Sequence, residues 1–336
     1  MFKFSSKYRE TLFLELGTHT SKGLVEKNDF KLAQRTLLKQ ELIEKLETVK
    51  NQKVKKFPFR NSMIHDFYSA SEYFSYFFSQ FSGSFNSLTK FFGVDIYITI
   101  HSNISEVAIS ALEDILRKQN VNNVYFFNEG VASLYGSGLA VDATNKTYLI
   151  CNIGYSTTDL VLVDRNSIKS DFTFFFGMQS IIEELKKHFK GVYLIDTFDQ
   201  EIEDIIKQID LGKKYGARDS FVINGKNTQL GSPITLKITK SEVQNIIVES
   251  FNFLIIQINN LLREVPGENL KQFFTDGLVI SGGTSLIRGL KWLLDSNIGI
   301  SKTFCQTYPY TVVNGLREIK EQNLTKYFEI KDFLLY

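Results

Sequence analysis

The chain has 336 residues, 43% of them hydrophobic, with 39 Lys and Arg against 37 Asp and Glu. A net charge of +2 excludes the strong field on which nucleic-acid binding rests, so no nucleic-acid partner is expected. The two cysteines, Cys151 and Cys305, lie far apart and exclude a disulfide framework, which fits a reducing cytoplasm. His19, His65, His101 and His188 show no metal-ligand spacing with them, and no zinc site is expected. The length suits about two domains. No apolar run of membrane-spanning length and no signal peptide is expected.

In chain order, Met1–Lys7 comes before the first strand. Phe2 and Phe4, beside Lys3 and Lys7, either dip into a lipid interface or pack over that strand. Leu12–Leu24 reads as an apolar strand followed by a Gly-Thr turn, with Glu15 two residues before Gly17. Leu32, Leu37, Leu38, Leu42, Ile43, Leu46 and Val49 recur at helical spacing and predict an amphipathic helix over about 30–50. Its basic end, 50–56, is a solvated face or meets an anionic neighbour. Pro58 marks a boundary. The aromatic spacing of Tyr73, Phe74, Phe77 and Phe78 predicts a core helix from about Ser69. Val94–Ile100 reads as a strand, and Ser105–Lys118 as a helix with Ser102 or Asn103 near its cap. A short strand, Val124–Phe127, then leads to Glu129 and a helix of small residues. A carboxylate at a strand's carboxyl end faces a cleft in open α/β sheets.

Tyr148–Val163 (YLICNIGYSTTDLVLV) reads as two buried strands joined by a tight turn. Gly154 tolerates a close ligand there, and Ser156, Thr157 and Thr158 add hydroxyls and N–H groups of the kind that cradle phosphate; an ordinary polar turn is the competing reading. A strand over 170–176, helices over 179–189 and 196–209, and a β excursion over 220–236 follow. Asn224-Gly225 is expected to be the hairpin turn of that excursion. Thr239 or Ser241 caps a long helix to about Glu264, stopped by Pro266-Gly267. Gly277–Leu290 (GLVISGGTSLIRGL) reads as a short strand, a Gly282-Gly283 turn, Thr284 and Ser285 as N-cap candidates, and a helix. A strand near 303–306 and a helix near 311–321 close the chain.

Two strand–turn–strand phosphate loops and a late Gly-Gly turn, in this order, resemble the actin-like ATPase superfamily. Within it the chain is most similar to the bacterial actins of the MreB family. The stretch ITIHSNISEVAISALEDILRKQNVNNVYFFNEGVASLYGSGLAV, the adenosine-motif stretch DGLVISGGTSLIRGLKWLL, the helix start ITKSEVQNIIVES and the late PYTVVNGL carry the resemblance. It implies an α/β, actin-like fold with two ribonuclease-H-like domains flanking a nucleotide cleft, each with a small subdomain. The expected first domain is 1–141 with 316–336, its small subdomain near 25–62. The expected second domain is 142–315, its small subdomain near 178–240.

The resemblance also implies ATP or ADP with Mg²⁺ as cofactors. Glu15, Gly17, Thr18 and Lys22 fall on the first phosphate loop, and Asn152, Gly154, Ser156, Thr157 and Thr158 on the second. Gly282, Gly283 and Thr284 fall on the adenosine motif. Glu129 falls where the family positions the attacking water. The family's ribose acid falls among Glu203, Asp204 and Asp210, with Asp204 taken as the match. Glu15 and Asn152 stand where the superfamily has the two aspartates that hold metal-bound water, and Gly154-Tyr155-Ser156 stands for its Gly-Gly-Gly. These departures predict nucleotide binding with slow turnover or none, at most a weak ATPase. The implied role is a self-associating filament that supports cell shape or envelope organisation. It would be cytoplasmic, peripheral at the inner face of the membrane through Phe2 and Phe4, with other bacterial actins or envelope proteins as further partners. An FtsA-like cell-division tether and a superfamily kinase are the alternatives.

Overall fold

The computed structural model describes residues 10–26, 34–39, 59–60, 63–81, 85, 87–139, 146–300, 302–306 and 310–330. The chain divides into two units. One comprises Met1–Asn145, Val161–Thr173 and Tyr308–Tyr336, the other Lys146–Leu160 and Phe174–Thr307.

In the first unit, β1 (Thr11–Glu15), β2 (Thr20–Glu26) and β3 (Gln34–Lys39) form antiparallel neighbours. A short pair, β4 (Phe59–Arg60) and β5 (Met63–Ile64), precedes helices α1 (Phe67–Phe81) and α2 (Ser87–Phe92). Then come β6 (Val94–Ile100), α3 (Glu106–Arg117), β7 (Val121–Asn128) and α4 (Glu129–Gly136). The sheet order is β3-β2-β1-β6-β7, with β1, β6 and β7 parallel. The aromatic helix forms as expected, and its ring stripe is core. Tyr73, Phe74, Phe77 and Phe81 are buried, and Phe59 meets Tyr73 edge-on at 5.2 Å. β2 makes room for this helix at Gly23, where a Cβ would stand 2.8 Å from the Phe77 ring.

The expected helix over 30–50 is corrected in part. Gln34–Lys39 is a strand, paired with β2 from Val25↔Gln34 to Thr20↔Lys39. The open hydrogen-bonding edge of β2 outweighs the local helical spacing, which is a weak determinant by itself. Residues 30–33 and 40–50, the rest of that expectation, lie outside the described residues, as do the basic run 50–56, Phe2 and Phe4. The cap of α3 is corrected too. Ser105 is its N-cap, and its Oγ accepts from Ala108 N at 3.2 Å. Ser102 N and Asn103 Nδ2 instead donate to Thr173, tying this loop to a neighbouring strand.

The remaining elements are β8 (Thr147–Ile153), β9 (Thr158–Asp164), β10 (Ser167–Phe174), α5 (Met178–Tyr193), β11 (Ile195–Asp196), α6 (Asp199–Gln208), β12 (Ser220–Asn227) and β13 (Pro233–Thr239). They continue with α7 (Lys240–Glu264), α8 (Gly267–Asp276), β14 (Leu278–Ser281), a 3₁₀ turn (Gly283–Leu286), α9 (Leu290–Ile298), β15 (Thr303–Cys305), α10 (Thr311–Glu321) and α11 (Thr325–Phe328). The second sheet has the order β10-β9-β8-β14-β15, and the division between units falls within β9 and β10. Counted by their own strands, both five-stranded sheets run third, second, first, fourth, fifth.

A three-stranded sheet, β11-β12-β13, holds the β excursion. Its turn is not at Asn224-Gly225. Those residues sit mid-strand, opposite Thr235 and Ile234, and the chain reverses between Asn227 and Pro233. Gly225 serves close approach: a Cβ there would stand 2.4 Å from the Asp196 carbonyl oxygen of β11. Thr239 caps α7 as expected, accepting from Glu242 N at 3.3 Å. By length and composition α7 is apolar enough to cross a membrane, which run-length reading does not detect. Its buried stripe of Val243, Ile247, Phe251, Leu254 and Ile258 makes it a core helix of the second unit.

In the first unit α4 and α10 cross at glycines. A Cβ on Gly136 would meet Thr311 O at 1.8 Å, and one on Gly315 would meet Ala132 O at 1.7 Å. Both helices must shift to admit a methyl group, and such overpacking costs about 1–3 kcal/mol. Gly315→Ala is therefore expected to lower stability by about that amount in urea unfolding. Gly191→Ala, on the exposed face of α5 with nothing within 4 Å, should raise it by about 0.5–1 kcal/mol.

Candidate functional site

Glu15, Glu129, Asn152 and Gly282 lie at or just beyond the carboxyl ends of parallel strands, where open α/β sheets place ligands. In the first unit, Glu15 ends β1 and pairs across the hairpin with Lys22. The Lys22 ammonium donates to Glu15 Oε1 at 2.5 Å. Glu15 is 7% exposed, and its Oε2 is buried with no hydrogen-bond partner among the described residues. The lysine compensates a carboxylate that burial would otherwise penalise. Gly17 and Thr18 lie in the turn beyond. Gly17 is required there, because a Cβ would stand 2.4 Å from Thr20 O.

On the same sheet edge, Asn128 caps α4 through Oδ1, which accepts from Gly130 N at 2.9 Å and Val131 N at 3.2 Å. Its amide nitrogen donates to Ser102 Oγ at 2.8 Å and to Asp171 Oδ2 at 3.3 Å. The cap fixes Glu129 as the first residue of the helix, 9% exposed. His101, directly after β6 and 6% exposed, has its Nδ1 4.0 Å from Glu129 Oε2. Sequence reading weighed His101 only as a zinc ligand. Its place one residue past an apolar parallel strand was the available signal.

In the second unit, β8 and β14 pair in parallel with Asn152 opposite Ser281, so the two turns after them are neighbours. Ser281 Oγ donates to Asn152 Oδ1 at 2.9 Å. Gly154 N donates to Thr157 O at 2.8 Å and closes the first turn. The Gly154 carbonyl accepts the Thr284 hydroxyl at 2.6 Å, joining the two turns directly. Gly177 then seats the start of α5 on this turn, since a Cβ there would be 2.5 Å from Tyr155 O. Gln179 N donates to Tyr155 O at 2.8 Å. Ser156 and Thr157 are buried, and the Thr158 hydroxyl donates to Phe176 O at 2.8 Å.

Gly282 has φ +87° and no space for a side chain, because a Cβ would stand 2.2 Å from Ile153 O. Gly283 has nothing within 4 Å of such a Cβ, so its backbone borders open space. Thr284 and Ser285 do not cap the following α-helix as expected. They lie in the 3₁₀ turn, and Gly289 stands at the start of α9. Their hydroxyls are engaged with Gly154 O and, for Ser285, with Gly282 O at 2.7 Å. Burial pushes the Cys151 thiol of β8 far above its usual value, with Asp159 adding to the shift, and leaves it a core residue.

The three acids expected near a ribose separate. Asp210 Oδ1 accepts from Gly212 N at 3.0 Å and organises a turn packed on Gly289. Glu203 lies 4.0 Å from Lys207. Asp204 is exposed on α6, and its carboxyl is held below the usual value by a hydrogen bond from Lys207 Nζ at 2.9 Å. It lines a groove of about 610 Å³ together with Phe198, Ile205, Phe221 and Val222. No hydrogen bond among the described residues joins Asp204 to the two glycine turns.

The family model of the MreB/Mbl protein matches residues 42–327. The cell shape-determining protein MreB of Pasteurella multocida is 24% identical over 251 residues, 72% of this chain and 69% of that protein. The cell shape-determining protein Mbl of Bacillus subtilis is 22% identical over 199 residues, 59% of this chain and 60% of that protein. Among solved structures, MreB5 of Spiroplasma citri bound to ADP aligns with a TM-score of 0.79 at 19% identity, covering 95% of this chain and 98% of that one. The MamK double helical filament aligns with a TM-score of 0.73 at 16% identity, covering 93% and 99%. The two like-ordered sheets, the paired glycine turns and these matches make the chain a divergent member of the MreB/Mbl family of actin-like cytoskeletal proteins.

Proposed function

We propose that this chain binds adenine nucleotide and assembles with copies of itself into filaments that support cell shape or envelope organisation at the cytoplasmic face of the membrane. The observation that carries the reading is the Thr284–Gly154 hydrogen bond. It docks the Gly282–Thr284 turn on the Gly154–Thr158 turn at the ends of adjacent parallel strands, with Gly283 open beside them. The MreB5 structures bound to ADP and to AMPPNP support nucleotide binding, and the MamK filament supports self-association.

In this reading the backbones of Gly17, Thr18, Gly154, Ser156 and Thr157 face phosphate, those of Gly282 and Gly283 face adenosine, and Asp204 faces the ribose. Lys22 acts through Glu15, which it neutralises. The Oε2 of Glu15, without a hydrogen-bond partner among the described residues, would hold a Mg²⁺ ion through water, with Asn152 taken as the second such residue, and the ion would neutralise phosphate charge and orient the transferred group. Glu129 orients the attacking water. Turnover is slow, because Asn152 carries no charge and the charge of Glu15 is offset by Lys22.

Sedimentation tests assembly. The protein should pellet with ATP and with anionic liposomes, and removing Met1–Ser6 should weaken only the liposome fraction. A strict monomer at high concentration under every condition rejects the reading. Gly283→Ala should keep the wild-type melting temperature yet bind ATP at least tenfold more weakly, about 1.4 kcal/mol; unchanged affinity in a nucleotide titration removes Gly283 from the site. Asn152→Asp preserves an acceptor for Ser281. It should raise phosphate release, by as much as about a hundredfold, and Glu129→Ala should erase the gain. Equal release by wild type and Asn152→Asp would show that the missing charge does not limit turnover.

A further inference from the structure

We infer that His101 is a positioning residue for Glu129, restricting the orientation of its carboxylate. The inference rests on the proposed hydrolytic role of Glu129 and deepens it. Both side chains are buried at the carboxyl edge of one sheet, and Nδ1 of His101 stands 4.0 Å from Oε2 of Glu129. That distance is longer than a hydrogen bond. The two groups act on each other electrostatically, with little solvent to screen them.

The backbone gives neither residue freedom to move away. Glu129 is pinned as the first residue of α4 by the Asn128 cap. The segment after His101 is held by Ser102 N donating to Thr173 Oγ1 at 3.2 Å and by Asn103 Nδ2 donating to Thr173 O at 2.9 Å. Asn128 Nδ2 joins the two sides by donating to Ser102 Oγ at 2.8 Å, with Asp171 on its other flank. An imidazole held beside the carboxylate narrows the rotamers open to it. The effect belongs to the chemical step, because orientation of the attacking water is realised only there.

Two readouts test this in the full-length protein. In steady-state phosphate release, His101→Asn should lower kcat roughly tenfold or more with KM for ATP unchanged. In a Glu129→Gln background the same substitution should change nothing further, because residues acting as a unit are non-additive. In ¹⁵N spectra at one pH, the His101 imidazole signals, assigned by their loss in His101→Asn, should shift on Glu129→Gln. An unchanged kcat, an equal loss in both backgrounds, or unmoved imidazole signals would overturn the inference. If the wild-type chain releases no more phosphate than Glu129→Gln, the hydrolytic reading itself fails. The imidazole spectrum alone then decides the pairing: shifted signals sustain it and unmoved signals end it.

Discussion

Parallel pairing of β8 with β14 governs where the two glycine turns of the second unit lie. Strands paired in parallel end on the same side, so the turns after Ile153 and Ser281 are neighbours by construction. Gly282 makes the contact possible, since any side chain would collide with the Ile153 carbonyl. With that approach in place, Thr284 reaches the Gly154 carbonyl and Ser281 reaches Asn152. Each hydrogen bond is worth only about 1 kcal/mol net. A buried hydroxyl or amide left without a partner would cost more, so the set favours one geometry more strongly than its summed energy suggests.

The first unit solves a different problem with the same edge. Its site residues carry charge, and charge in a sheet interior is costly. Glu15 is compensated by a lysine across its own hairpin, and Glu129 lies beside an imidazole at the end of the neighbouring strand. Removing one partner of a buried pair typically costs about 3–5 kcal/mol, far more than an exposed ion pair such as Lys187–Glu184 contributes.

Much of this was legible in the chain. Continuous apolar runs marked β6, β8 and β9, and the aromatic period marked α1, because burial imposes those patterns directly. What failed was local chemistry judged without its tertiary neighbour. The leucines near 37 keep a helical period, yet an open strand edge claims their backbone. Asn224-Gly225 has the composition of a tight turn, yet its glycine answers to the Asp196 carbonyl of another strand. Ser102, Thr284 and Ser285 look like caps, but their N–H and hydroxyl groups bond to segments distant in sequence. The candidate site residues were chosen by motif order, whereas the Lys22–Glu15 contact and the His101 neighbourhood needed a register that no single stretch encodes.

The Gly154 turn is fastened at several points. Its own Thr157 carbonyl, the Thr284 hydroxyl and the first amides of α5 all hold it, the last through Met178 N and Gln179 N on the carbonyls of Gly154 and Tyr155. The turn therefore has no independent compliance. Any displacement of it is handed to α5, whose buried stripe of Ile181, Ile182, Leu185 and Phe189 carries it into the interior of the second unit. The helix is a stiff lever whose short arm is a four-residue turn.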